Sequence, residues 1–211
     1  MYDRNSNILV KTGVTAEELD SAVSNIRPDH GLKPALKAIV AAEKQYGISA
    51  IFITAHAATE TGWGRSMIAR TKNNLFGFNA IDSNPGQANS YPTQEASVKH
   101  YAEFLSTHYL SKDGKYYNGA TPSGVMTRYA SAGDRAADTI ANIMSMLASR
   151  IGLEGEKIPD GFGDKTEEPA PEPEPETDQP EPEQEPKADD QPAVDDAIDT
   201  QQPKKKTARK K

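Results

Sequence analysis

The sequence predicts a mainly α-helical domain with a small irregular or β lobe, followed by an acidic tail with no fold of its own. Three observations carry that prediction. Between Thr15 and Ile151, apolar residues recur at helical spacing behind recognisable capping residues. One segment, Ala50 to Glu60, is apolar on nearly every face, as a central helix surrounded by others must be. Beyond Gly163 the chain turns to Pro-Glu repeats and Asp-rich stretches that lack the apolar residues needed to offset chain entropy. The expected division is therefore a domain over 1–163 and a disordered segment over 164–211.

Thr15 followed three residues later by Glu18 has the form of a capping box, opening a helix with Leu19, Val23 and Ile26 on one side and Pro28 closing it. A second helix runs from about Pro34 through Leu36, Ile39, Val40 and Tyr46, with Gly47 suited to the left-handed residue past its end. Ser49 caps the third, central helix. Its β-branched residues also suit a buried strand, but the alanine-rich second half favours helix. From Gly62 to Pro92 the sequence is rich in Gly, Asn, Ser and Pro, which reads as irregular structure with a short strand or two, where a substrate cleft would be lined. Thr93 caps a helix bearing Val98, Tyr101, Ala102 and Leu105, and Ile140, Ile143, Met144, Leu147 and Ile151 mark the last. Five helices are expected to build the core.

The net charge of −7 describes the tail and not a binding face. Residues 1–163 balance 16 Lys or Arg with 16 Asp or Glu, whereas 164–200 carry 15 acids against Lys165 and Lys187, and the last eleven residues add six bases. With no cysteine, a disulfide framework, a thiolate metal site and a thiol nucleophile are all excluded. No run approaches the roughly 20 apolar residues of a membrane span, and the first residues lead into no apolar signal segment. A target outside a cell would then require another delivery route.

Chemistry is expected at Glu60, which ends the apolar segment directly before Thr61-Gly62-Trp63-Gly64-Arg65-Ser66. A carboxyl group there is costly to ionise, the property a general acid needs if it is to hold a proton near neutrality and donate it to a departing oxygen. The glycines allow close approach of backbone to a ligand, and Trp63 offers a flat face suited to a sugar ring. From the residues alone a second reading stands beside this one: Glu60 on an exposed helix end, with Trp63 filling the core. His56 lies four residues before Glu60 and shares its helix face, but no third ligand accompanies the pair, and His100 and His108 lack zinc spacing. No metal or cofactor is expected, and His56 reads as a core histidine or one hydrogen-bonded near the site.

The string Ala57-Ala58-Thr59-Glu60-Thr61-Gly62-Trp63-Gly64-Arg65-Ser66, followed by Asn73-Asn74-Leu75-Phe76-Gly77-Phe78, resembles the signature of the bacterial and phage endo-β-N-acetylglucosaminidases of glycoside hydrolase family 73. Further matches follow in order: Ala80-Ile81-Asp82-Ser83-Asn84-Pro85, Tyr116-Tyr117-Asn118-Gly119, Tyr129-Ala130-Ser131 and Ile140-Ala141-Asn142-Ile143-Met144. The similarity spans roughly residues 33 to 152, and an ordered set of motifs is far more specific than one. It implies a lysozyme-like helical fold acting on the bond between N-acetylglucosamine and N-acetylmuramic acid in peptidoglycan. It also implies Glu60 as catalytic acid, Tyr129 in a supporting role, and Asn73, Asn74 and Phe76 along the cleft, where each also reads as a loop cap or packing residue, for Asn73 with equal weight. Trp63 and Tyr91 are expected to bind substrate beside them. The second carboxylate that several family members carry in a β-hairpin has no counterpart here. Asp82 is the candidate for that role, Glu95 reading instead as a solvated first-turn acid. The substrate's own 2-acetamido group is the alternative nucleophile.

Two rivals follow from the same residues: a lytic transglycosylase or muramidase of similar fold, and an inactive wall-binding structural module. The tail reads most simply as an extended spacer with a solubilising tip. The sharper expectation is that its basic end docks an anionic partner or a virion protein, in keeping with a phage-encoded enzyme carried in the virion or released at lysis.

Overall fold

A computed structural model describes residues 1–80, 87–130 and 133–153, all within one compact unit, Met1–Lys165. Asp82 and the acidic and basic segments beyond residue 153 lie outside the described residues. Seven α-helices form among the described residues: α1 (Ala16–Ile26), α2 (Leu36–Tyr46), α3 (Ala50–Thr61), α4 (Met67–Lys72), α5 (Gln94–Leu105), α6 (Pro122–Tyr129) and α7 (Gly133–Ile151). A 3-10 turn, Lys33–Ala35, leads into α2, and a π-helical turn, Ser106–Leu110, extends α5.

Local chemistry accounts for most of the ends. The Thr15 hydroxyl accepts from the Glu18 amide at 3.1 Å while the Glu18 carboxylate accepts from the Thr15 amide at 2.8 Å, so the capping box is complete. Gly47 closes α2 at φ 71°, and the Ser49 hydroxyl accepts from the Phe52 amide to start α3. In α3, Ile51, Phe52 and Ile53 have no exposed surface. Burying each contributes about 1.5–3 kcal/mol, and the segment is a helix buried nearly all round and not a strand. Helix α3 packs on α2 and α7, α5 packs on α2, and α6 and α1 both lie against α7.

Two expectations need correction. The core contains more than five helices, because α4 and α6, of six and eight residues, carry too few apolar positions to show a period. And the lobe after Gly62 holds α4 and, among the described residues, no strand. Its backbone is satisfied by a few isolated backbone pairs, such as the Asn89 amide on the Phe78 carbonyl and the Tyr91 amide on the Lys72 carbonyl, and by side chains. The Asn74 amide nitrogen donates to the carbonyls of Phe78 and Asn89 at 2.9 and 3.1 Å, while its oxygen accepts from the amides of Phe76 and Phe78 at 3.3 and 3.2 Å.

Candidate active site

Helix α3 ends in three consecutive left-handed residues, Gly62 (φ 56°), Trp63 (φ 68°) and Gly64 (φ 77°). The Trp63 amide donates back to the Ala58 carbonyl at 2.9 Å, a Schellman-type closure, and the Gly64 amide donates to the Thr61 hydroxyl at 2.7 Å. The turn is braced from the segment before α2: the Gly31 amide donates to the Trp63 carbonyl at 2.8 Å, and a side chain at Gly31 would collide with the Gly64 carbonyl. That rigid stop holds Glu60 in the last turn of α3 with its side chain 24% exposed.

Glu60 opens onto a cavity of about 350 Å³ walled by Thr61, Ser66, Ile68, Asn74, Phe76, Gly77 and Tyr129. Glu60 is the single carboxylate in that lining among the described residues. Its Oε1 lies 3.5 Å from His56 Nε2, and Oε2 lies on the Gly77 side, 3.6 Å from where a Cβ at Gly77 would stand. The Tyr129 hydroxyl donates to the Phe76 carbonyl at 2.7 Å, tying the end of α6 to the wall of the cavity. Burial, reinforced by the Glu60 carboxylate, holds the Tyr129 phenol well above the usual tyrosine range, so it stays a neutral donor. Phe76 stacks on Tyr101 with centroids 3.7 Å apart.

Of the residues singled out from the sequence, Glu60, Asn74, Phe76 and Tyr129 share this cavity. Others stand outside its lining. Trp63 packs partly buried against the core. Asn73 caps α4 at φ 53° and its amide nitrogen donates to the carbonyls of Tyr91 and Pro92 at 2.9 and 3.2 Å, a loop-holding role. The Tyr91 hydroxyl pairs with His100 Nδ1 at 2.7 Å. Glu95 is exposed in the first turn of α5. Sequence reasoning passed over Ser66 and Gly77, although both sit inside the quoted motifs, and took Tyr101 for a core residue only. Its pairing with His56 spans 45 residues and has no local signal.

The fold and the site define a class: a lysozyme-like helical domain whose buried central helix ends in a carboxyl group beside a polar cavity. The model of the mannosyl-glycoprotein endo-β-N-acetylglucosaminidase family matches residues 36–149, and the chain belongs to that family of glycoside hydrolases. It is 32% identical over 143 residues to a Streptococcus pneumoniae protein named as an endo-β-N-acetylglucosaminidase, covering 67% of this chain and 21% of that protein. A Bacillus subtilis β-N-acetylglucosaminidase is 34% identical over 88 residues, covering 35% of this chain and 10% of its own length. The chain thus spans about a fifth of the length of the pneumococcal relative. Among solved structures, a catalytic mutant of S. aureus Autolysin E in complex with the disaccharide NAG-NAM superposes with a TM-score of 0.57 at 21% identity, over 72% of this chain and 74% of that one. Autolysin E with a muropeptide gives 0.56 at 22% identity over the same shares. At these identities the likeness shows the fold.

Proposed function

We propose that this chain hydrolyses the β-1,4 bond between N-acetylglucosamine and N-acetylmuramic acid in peptidoglycan, with Glu60 as the general acid. The observation that carries the reading is the place of Glu60, fixed at the end of an apolar helix and facing a cavity among family-motif residues. Proximity to a bound glycosidic oxygen would let Glu60 protonate the leaving group as the bond breaks. Asn74 and Phe76 shape the wall, and Tyr129 positions it through the Phe76 carbonyl. Displacement at the anomeric carbon is completed by water activated by Asp82, or by the substrate's 2-acetamido group. Retention or inversion at the new reducing end, read by proton NMR with Asp82→Asn as control, separates the two routes.

The test is digestion of purified peptidoglycan by the wild-type chain and by Glu60→Gln, with fragments reduced and identified by mass. Wild-type fragments ending in N-acetylglucosaminitol, absent from the variant, are expected. A lytic transglycosylase is the second reading, favoured by Glu60 being the lone carboxylate in the cavity lining among the described residues. Fragments ending in 1,6-anhydro-muramic acid would establish it, and no fragments from either protein would leave a wall-binding module. The proposal extends to delivery by a phage, in the virion or at lysis, with the basic tip on an anionic partner. Immunodetection of the chain in purified particles, with and without residues 201–211, tests that part.

A further inference from the structure

His56 occupies a place that an apolar residue would fill more cheaply. Its side chain has no exposed surface and lies among the rings of Phe52, Phe76, Tyr101 and Tyr129, with centroids 4.7–6.0 Å away. An imidazole there carries a desolvation penalty unless both nitrogens are met. Nδ1 is met: the Tyr101 hydroxyl lies 2.6 Å away. Nε2 has no hydrogen-bond partner, and the carboxylate oxygen facing it is Glu60 Oε1 at 3.5 Å.

Tyr101 decides which nitrogen carries the hydrogen. Its phenol is wholly buried and, through burial first and the neighbouring Tyr129 and Glu60 second, is held well above the usual tyrosine range. Among the described residues Nδ1 is the one acceptor that its hydroxyl hydrogen meets, so Tyr101 donates there, which leaves a ring hydrogen on Nε2, directed at Glu60. The titratable groups facing His56 are Glu60 on its own helix, Tyr101 from α5 and Tyr129 from α6, whose hydroxyl is engaged by the Phe76 carbonyl.

We propose that His56, oriented by Tyr101, is a positioning residue that determines which oxygen of the Glu60 carboxyl carries the transferable proton. In the substrate complex Nε2–H donates to Oε1, so the proton resides on Oε2, the oxygen on the side of Gly77 in the cavity wall. After the proton moves to the leaving oxygen, the same donor holds the carboxylate. The separation of 3.5 Å in the free enzyme closes to hydrogen-bond length when substrate excludes water, as catalytic contacts commonly do. This inference rests on Glu60 being the acid.

The test compares full-length wild type with His56→Leu, His56→Gln, Tyr101→Phe and Glu60→Gln, measuring kcat and KM on soluble uncrosslinked glycan strands and Tm for each. Folded His56→Leu is expected to lose about 10-fold or more in kcat with KM within about twofold, because the donor acts on the acid and not on binding. His56→Gln, whose amide N–H reaches the same place, should recover most of the loss. Tyr101→Phe, which leaves the ring but frees its tautomer, should fall between. A merely structural histidine would change Tm and leave kcat per folded molecule alone. Wild-type kcat in folded His56→Leu overturns the proposal, as does His56→Gln performing no better than His56→Leu. Should His56→Leu fail to fold, Tyr101→Phe decides, and wild-type kcat there overturns it. An active Glu60→Gln would instead remove the acid assignment on which the inference stands.

Discussion

A glutamate stands at each end of α3, one of them supplied by α2, and the two are used in opposite ways. At the start, Glu43 from α2 is 3% exposed and fully engaged: it accepts from the Thr12 hydroxyl at 2.7 Å, the Gly13 amide at 2.8 Å and the Ala50 amide at 2.7 Å. It thereby pins the N-terminal segment to the first turn of α3, where the helix dipole also favours negative charge. At the far end Glu60 has only the long contact to His56 and an open cavity before it. A carboxylate whose lone pairs are filled by two backbone amides and a hydroxyl is structure. One left without strong donors beside a cavity is available for proton transfer. The helix that lies between them, Ala50–Thr61, is buried along most of its length, so the two carboxylates are held apart and their roles can be tested separately.

Substitutions that move one end without the other probe this division. The largest expected effect is on rate: Glu60→Gln should lower peptidoglycan turnover by about 10²–10⁴-fold, the range for loss of a general acid, with Tm at or above that of wild type. Next is stability at the other end. Glu43→Ala leaves three donors without their acceptor and should lower unfolding free energy by about 3 kcal/mol in denaturant titration, while activity per folded molecule is kept. A wild-type midpoint for Glu43→Ala would erase the contrast between the two carboxylates.

Smaller effects refine the C-terminal end. Tyr129→Phe removes the donor to the Phe76 carbonyl and should lower stability by about 1 kcal/mol with a few-fold fall in kcat, measured by thermal unfolding and initial rates. The smallest effect concerns the brace at Gly31. The neighbouring His30 accepts from the Leu32 amide at its Nδ1 and is pulled below its usual value of 6.5, chiefly by burial, with Asp20 opposing. The folded state therefore binds fewer protons than the unfolded chain just below pH 6.5, so this contribution to stability is complete above that value and lost as pH falls through the lowered one. Unfolding measured from about pH 7 down to about pH 5 should show the loss, and His30→Gln should flatten it.

What could be read from the sequence was what neighbouring residues decide. The Thr15 and Glu18 box, the left-handed Gly47 and the Ser49 cap are contacts within one turn, and each is written in adjacent letters. Helix α6 carried such a signal too, Thr121 before Pro122 at the first helical position, but eight residues give no period to confirm it. The π turn after α5 had no local signal. At the site, the family motifs named Asn73 and Asn74 together, and only coordinates separate the loop clamp from the cavity wall. The His56 and Tyr101 pair is a product of packing between α3 and α5, which no spacing along the chain encodes.

The measurement that bears most directly on the division of α3 is the initial rate of reducing-end release from purified peptidoglycan by Glu60→Gln and Glu43→Ala, each with its Tm. The expected result is a folded Glu60→Gln whose release falls by about 10²-fold or more, and a less stable Glu43→Ala that, below its Tm, releases N-acetylglucosamine ends at the wild-type rate. A folded Glu60→Gln that releases those ends at the wild-type rate would contradict the account.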